Sequence, residues 1–189
     1  MTALVVLGAV IVLVLILGGM YIGIYNSLVS LRTNREQAFA DIDVQMKQRY
    51  DLVPNLVNTV KGYATHEKET LENLTKYRTA ALSAGSIDEK VKADNQFSST
   101  LKTLFAVSEN YPDLKANQNF LELQGELSDI ENKIAAARRF FNNATKEFNA
   151  TIVIFPNSLV ASISGIKAAT FFDLGEEKEA VSKPVEVKF

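Results

Sequence analysis

Apolar positions along this chain fall into two rhythms. From Ala3 to Ile24 they form one unbroken run, and no Asp, Glu, Lys, Arg or His occurs before Arg32. A helix rises about 1.5 Å per residue, so roughly 20 apolar residues cross the hydrocarbon of a bilayer. Leu4 to Leu17 offers no polar face that would suit a core helix. A secretory signal would carry a positive leader, a shorter apolar stretch and a small-residue cleavage site, and this run has none of them. The expectation is a permanent single-pass anchor over 1–31.

Beyond it the apolar residues recur at alternating steps of three and four. Ile24, Leu28, Leu31, Ala38 and Ile42 carry this rhythm past the membrane surface, which predicts that the anchor helix runs on. A second seam reads Leu52, Leu56, Val60, Tyr63, Leu71, Leu74, Tyr77 and Ala81, and ends at Gly85 as a C-terminal cap. Ser86 with Glu89 forms a capping box for a helix whose face reads Ile87, Val91, Leu101, Leu104 and Val107. Asn110-Tyr111-Pro112 marks the next boundary. The longest seam runs from Phe120 through Leu123, Leu127, Ile130, Ile134, Ala137, Phe141, Ala144, Phe148 and Ile152 to Phe155, where Pro156 stops it. Pro54 interrupts the first rod: either Asp51 caps a new helix with Pro54 in its first turn, or one rod kinks there. Short loops between long helices make antiparallel neighbours. The fold class expected is all-α, with a single N-terminal transmembrane helix continuous with an antiparallel bundle of three to four long helices.

After Pro156 the pattern loosens. Asn157 to Ile166 reads as one short helix, and the charged end, 173–189, as a tail that is a short edge strand, an extended segment or disordered. The domain expectation is therefore an anchor over 1–31, a helical bundle over 32–172 and the tail. The cluster of Ile152 to Phe155 with Leu159, Ile163, Ile166, Phe171 and Phe172 is too apolar for a free surface. It closes the end of the bundle, or it meets a neighbouring subunit or the bilayer.

Charge then sets orientation and excludes one partner. Lys and Arg total 20 against 22 Asp and Glu, with no basic block, so electrostatic binding of nucleic acid has no support. Lys and Arg flank the anchor only on its C-terminal side, at Arg32, Arg35, Lys47 and Arg49. That bias places the bundle in the cytoplasm and leaves the N-terminus outside. Tyr21 and Tyr25 stand where an interfacial aromatic belt belongs.

Candidate chemistry is sparse. There is no Cys, and His66 is the single His, read as mid-helix and solvated. Glu-x-x-His, Walker and dinucleotide motifs are lacking. No catalytic residue, metal or cofactor is expected. Polar residues instead fall on or beside the apolar seams: Arg35, Arg49, Asp51, Asn55, Asn117, Gln124, Glu131, Arg138 and Asn142. Polar groups inside bundles fix register and partner choice. The set is read as ion pairs between helices or subunits, with a binding pocket as the alternative; Glu131 and Arg138, seven apart and so two turns distant, are expected to pair across helices rather than along one. Gly19 and Gly23, four apart in the anchor, are a candidate for close helix approach between copies.

The stretch Arg49-Tyr50-Asp51-Leu52-Val53-Pro54-Asn55-Leu56-Val57, then Val60 to Ala64 and His66-Glu67, resembles the signature of the LemA family. Tyr25 to Val29, Ile42 to Gln45, Leu114 to Asn117, Phe120, Leu123-Gln124, Glu131, Ile134, Arg138, Phe141-Asn142, Phe148-Asn149 and Ile154 to Pro156 continue the resemblance in order. Phe141-Asn142 stands where Tyr-Asn is usual, and Met46-Lys47-Gln48 where Leu-Lys-Arg is usual. The resemblance implies a bacterial protein with one N-terminal membrane helix and a cytoplasmic helical bundle. One relative takes part in magnetosome membrane biogenesis, and genes of the family often neighbour an HtpX-type membrane zinc peptidase. No enzymatic activity is established for the family. Three functions follow as expectations. They are a non-enzymatic, homo-oligomeric membrane scaffold in the bacterial envelope; an adaptor or regulator of the HtpX-type peptidase in envelope stress; and a membrane-remodelling protein acting through a rigid lattice or the apolar segment near Phe171. The partners expected are the lipid bilayer and further copies of the chain.

Overall fold

The computed structural model describes residues 1–64 and 66–172, and all regular structure in them is helical. In chain order α1 spans Thr2–Lys61, α2 Lys68–Ser83, α3 Ile87–Ser108, α4 Pro112–Lys115, α5 Gln118–Val153 and α6 Asn157–Ile163. The fold class is all-α. The expected tail, 173–189, lies outside the described residues. Two compact units emerge, one formed by Met1–Ala38 with Phe140–Phe171, the other by Phe39–Arg139 with Phe172. Both α1 and α5 contribute residues to each.

In the first unit the N-terminal part of α1 is long and apolar enough to cross a membrane once, and none of its apolar window is buried against protein. Further along, Leu28 is enclosed with Phe148, Ile152, Val160 and Ala161, and Ile24, Leu31, Ile166 and Ala169 pack on that cluster. Arg35 replaces an apolar residue on the same face. Its Nε donates to Thr145 Oγ1 at 3.0 Å, its Nη2 to the Thr170 carbonyl at 2.9 Å, and its guanidinium lies 4.6 Å from the Phe141 ring centre. Asn149 clamps the segment after α6 through two 2.8 Å bonds, donating to the Ala169 carbonyl and accepting from its N–H. Gly165, with φ +67°, ends α6. The N–H of Ile166 reaches back to the Ala161 carbonyl at 2.9 Å, a Schellman closure that needs a left-handed residue at Gly165.

The second unit packs α2 against α3 and encloses both with residues of α1, α4 and α5. Ile42, Met46, Leu56, Leu74, Phe97, Leu104, Leu114, Phe120 and Phe172 are its largest fully enclosed apolar side chains. The α5 seam is buried at Phe120, Leu127, Ile130, Ile134, Phe141, Phe148 and Ile152, but it stops there. Phe155 is 79% exposed, because α5 ends at Val153 and the chain turns through Pro156.

Three local expectations change. The seam from Leu52 to Ala81 belongs to two helices, not one. Gly62 is a poor helix former, and after it the N–H groups of Tyr63 and Ala64 both close onto the Val60 carbonyl, at 3.0 and 2.9 Å. His66 therefore lies in the connection rather than mid-helix. Gly85 does not cap α2, whose C-cap is Ala84 with extended backbone; its N–H instead bonds Glu89 Oε2 at 3.0 Å. Ser86 Oγ accepts from the Glu89 N–H at 3.2 Å, so Gly85 belongs to the N-terminal cap of α3.

Pro54 sits inside α1, and Asp51 does not start a new helix. A proline at this position leaves the carbonyl of Tyr50, four residues earlier, without its helical donor. Arg78 of α2 supplies the substitute: its Nε donates to that carbonyl at 2.8 Å. The break is repaired from the neighbouring helix.

That repair predicts a measurable coupling. Arg78→Met is expected to destabilise the protein by about 1–3 kcal/mol, because it orphans a carbonyl. In a Pro54→Ala background the restored N–H takes over, and the same substitution costs about 1 kcal/mol less. Urea denaturation followed by helical circular dichroism on the four variants reads this; equal costs in both backgrounds would contradict it.

Candidate functional site

Three polar residues of the second unit converge on Asp94. This residue of α3 is fully buried, as is Arg49 of α1. Asp94 Oδ1 accepts from Arg49 Nη2 and from the Tyr50 hydroxyl at 2.5 Å, and Oδ2 accepts from Arg138 Nη2 of α5 at 2.9 Å. Arg49 Nη1 donates to Glu131 of α5, whose other oxygen lies 3.8 Å from Arg138 Nη1. The seven-residue spacing does not keep Glu131 and Arg138 apart, since two long side chains span it.

Aromatic rings complete the enclosure. The Arg49 guanidinium lies 5.1 Å from the Phe97 ring centre, Phe97 meets Tyr50 edge-on at 5.0 Å, and Arg138 lies 4.6 Å from the Phe172 centre. Cation–π contact of this kind strengthens when water is excluded. With the Arg78 bond to Tyr50, one connected set of contacts ties α1, α2, α3 and α5.

Electrostatics follow from the counting. Two guanidinium cations face two carboxylates. Burial alone would disfavour charge on Arg49, but Asp94 and Glu131 outweigh it and hold its pKa above the ordinary value. Burial, then the Asp94 charge and hydrogen bond, raise the Tyr50 hydroxyl far above the usual phenol range. Arg49 Nε and Arg138 Nε make no hydrogen bond among the described residues, and neither does the buried Ser98 Oγ. A cavity of about 620 Å³ opens beside the network, lined by Arg49, Ser98, Lys102, Gln124, Glu131 and Arg138 among others.

The remaining candidates are placed elsewhere. Asp51, Pro54 and Asn55 are exposed on α1, and Gln124 is exposed at the cavity rim. Asn117 caps α5, its Oδ1 accepting from the Phe120 N–H at 3.0 Å while its Nδ2 donates to the Tyr63 hydroxyl at 3.0 Å. Asn142 is half-buried in the first unit. Gly19 and Gly23 have open space around them. Among the described residues no group of three His, Cys, Asp or Glu converges as a metal site. Asp94 and Phe97 are absent from the sequence expectation. Their signal is a hole in the α3 seam between Val91 and Leu101, which Asp94 and Phe97 fill at steps of three.

The sequence profile of the LemA family matches residues 38–189. The chain belongs to the LemA family. It is similar to Protein LemA of Metamycoplasma hominis, at 30% identity over 82% of this chain and 72% of that protein. It is also similar to Magnetosome protein MamQ 2 of Paramagnetospirillum magneticum, at 25% identity over 85% of this chain and 68% of the relative. Magnetosome protein MamQ of Magnetospirillum gryphiswaldense matches at 24% over the same shares. In this LemA-family chain Arg49 and Arg138 meet on Asp94, and Glu131 pairs with both arginines.

Two outcomes test the network. Asp94→Asn leaves two buried guanidinium groups facing one carboxylate, Glu131, and is expected to cost about 3–5 kcal/mol in thermal or urea unfolding. An unchanged midpoint would contradict the geometry. The Tyr50 hydroxyl binds its proton more tightly when folded than the ordinary phenol value of about 10. Its contribution to stability is therefore complete below that pH and is lost as pH rises above it. Wild-type protein should lose stability more steeply above about pH 10 than Tyr50→Phe; identical alkaline profiles would count against it.

Proposed function

We propose that this LemA-family chain is a non-enzymatic, single-pass membrane scaffold of the bacterial envelope. The N-terminal part of α1 holds it in the inner membrane, the helical body lies on the cytoplasmic side, and copies of the chain assemble with one another. The observation that carries this reading is the closure of the Arg49–Asp94–Glu131–Arg138 network on itself. Arg49 pairs across helices with Asp94 and Glu131, and Arg138 with Asp94, an arrangement that fixes helix register rather than presenting an acid, a base or a nucleophile to a substrate.

Further observations support self-assembly. Gly19 and Gly23 leave the anchor backbone open to close approach by another helix. Phe140, Leu121 and Val44 are exposed apolar side chains on the helical body. The magnetosome naming of the MamQ relatives supports a role in organising a cellular structure. Light scattering on full-length protein in detergent is expected to give a protein mass above the 20.9 kDa of one chain. A monomer at high concentration would contradict self-assembly.

A further inference from the structure

The α5–α6 turn lies in the same unit as the membrane-crossing part of α1 and carries an apolar surface of its own. No Asp, Glu, Lys, Arg or His occurs from Phe148 to Ile166, with Glu147 and Lys167 closing the interval. One side of this segment packs on protein: Phe148, Ile152, Val160 and Ala161 enclose Leu28. The other side does not. Val153, Ile154, Phe155, Leu159 and Ile163 are all more than half exposed, and Leu159 and Ile163 share one face of α6. Closure of the bundle end therefore accounts for only half of the apolar residues there.

Depth decides what covers the rest. Going back along α1 towards the anchor, Arg35 meets Thr145, Leu28 meets Phe148 and Ile152, and Tyr21 meets Ser164 through a 3.0 Å bond between their hydroxyls. α5 thus descends alongside α1, and its turn arrives level with Tyr21. Tyr21 lies inside the Ala3–Ile24 apolar run and stacks on Tyr25, with ring centres 6.3 Å apart. Paired tyrosines at the end of an apolar span mark the boundary between headgroups and acyl chains.

We propose that the α5–α6 turn is a second membrane contact, with Phe155, Leu159 and Ile163 buried in the lipid at the level of Tyr21. The occupant of this surface is the bilayer itself, because the surface continues laterally from the helix that crosses it. Uncharged apolar faces of this kind sink into the boundary between headgroups and acyl chains, while Lys167 stays at the aqueous side. The body is then held by a helix and an adjoining wedge, which fixes its tilt on the membrane as well as its attachment. This rests on α1 crossing the bilayer, as the scaffold reading holds.

The chain has no Trp, so single substitutions report cleanly. Full-length Phe155→Trp, Ile163→Trp and Leu13→Trp are reconstituted separately into phosphatidylcholine vesicles. The lipid carries bromines either near the headgroup end or near the methyl end of its acyl chains. Phe155→Trp and Ile163→Trp are expected to lose about half or more of their emission to the shallow bromines and little to the deep ones, and Leu13→Trp to be quenched by the deep ones. If Leu13→Trp is quenched while the other two are not, the wedge is overturned and the anchor stands. Blue-shifted but unquenched emission at Phe155→Trp would assign the surface to a second copy and equally overturn it. An unquenched Leu13→Trp would remove the anchor and the wedge together.

Discussion

One carboxylate organises the core of the second unit. Asp94 is shut away from solvent, and its two oxygens receive Arg49, Tyr50 and Arg138 from two other helices. Charges buried this way carry a desolvation penalty that pairing only offsets, so the arrangement is a poor route to raw stability. Its strength is selectivity. Arg49 sits on the α1 seam where an apolar residue could slide by one turn without loss. A guanidinium that must find both Asp94 and Glu131 has one position along α3 and α5 that satisfies it. The apolar seams bring the helices together, and the ions determine their register.

The same logic repeats on a smaller scale in the first unit. Arg35 occupies an α1 seam position and is tied to Thr145, the Thr170 carbonyl and the face of Phe141. The two arginines lie fourteen residues apart, four turns of one helix, and both interrupt the same apolar stripe. Each unit thus carries one arginine that α5 must recognise. Pro54 introduces a third constraint, since the carbonyl it frees obliges α2 to bring Arg78 to a single place. Such specific polar contacts hold the helices of each unit in one register.

Periodicity makes much of this legible. The apolar run announces the membrane-crossing segment, and the three/four seams locate most of α1, α3 and α5. Arg49, Glu131 and Arg138 can be singled out because a charge inside an apolar stripe is conspicuous. Asp94 is harder to single out, because the α3 stripe reads as interrupted between Val91 and Leu101 unless Asp94 and Phe97 are counted into it. The pairing of Arg78 with Tyr50 is not readable at all: it depends on tertiary placement of a residue twenty-eight positions away. Gly62 and Gly85 show the limits of local signals. A continuous apolar rhythm runs across Gly62, although α1 ends beside it. Gly85 has the composition of a helix terminator, yet it serves the start of α3 rather than the end of α2.

If the buried charges set helix register within the body, and hold no copies together, removing them jointly leaves helix content and mass intact even where register is loosened. Replacing all four at once, with Arg49→Met, Asp94→Leu, Glu131→Leu and Arg138→Met, roughly keeps side-chain volume while the four network charges are taken away. Circular dichroism and light scattering on the full-length variant in detergent should show wild-type helicity and an unchanged assembled mass. A variant that keeps full helicity yet falls to the mass of a single chain would mean that these charges hold copies together, and would contradict the architectural role.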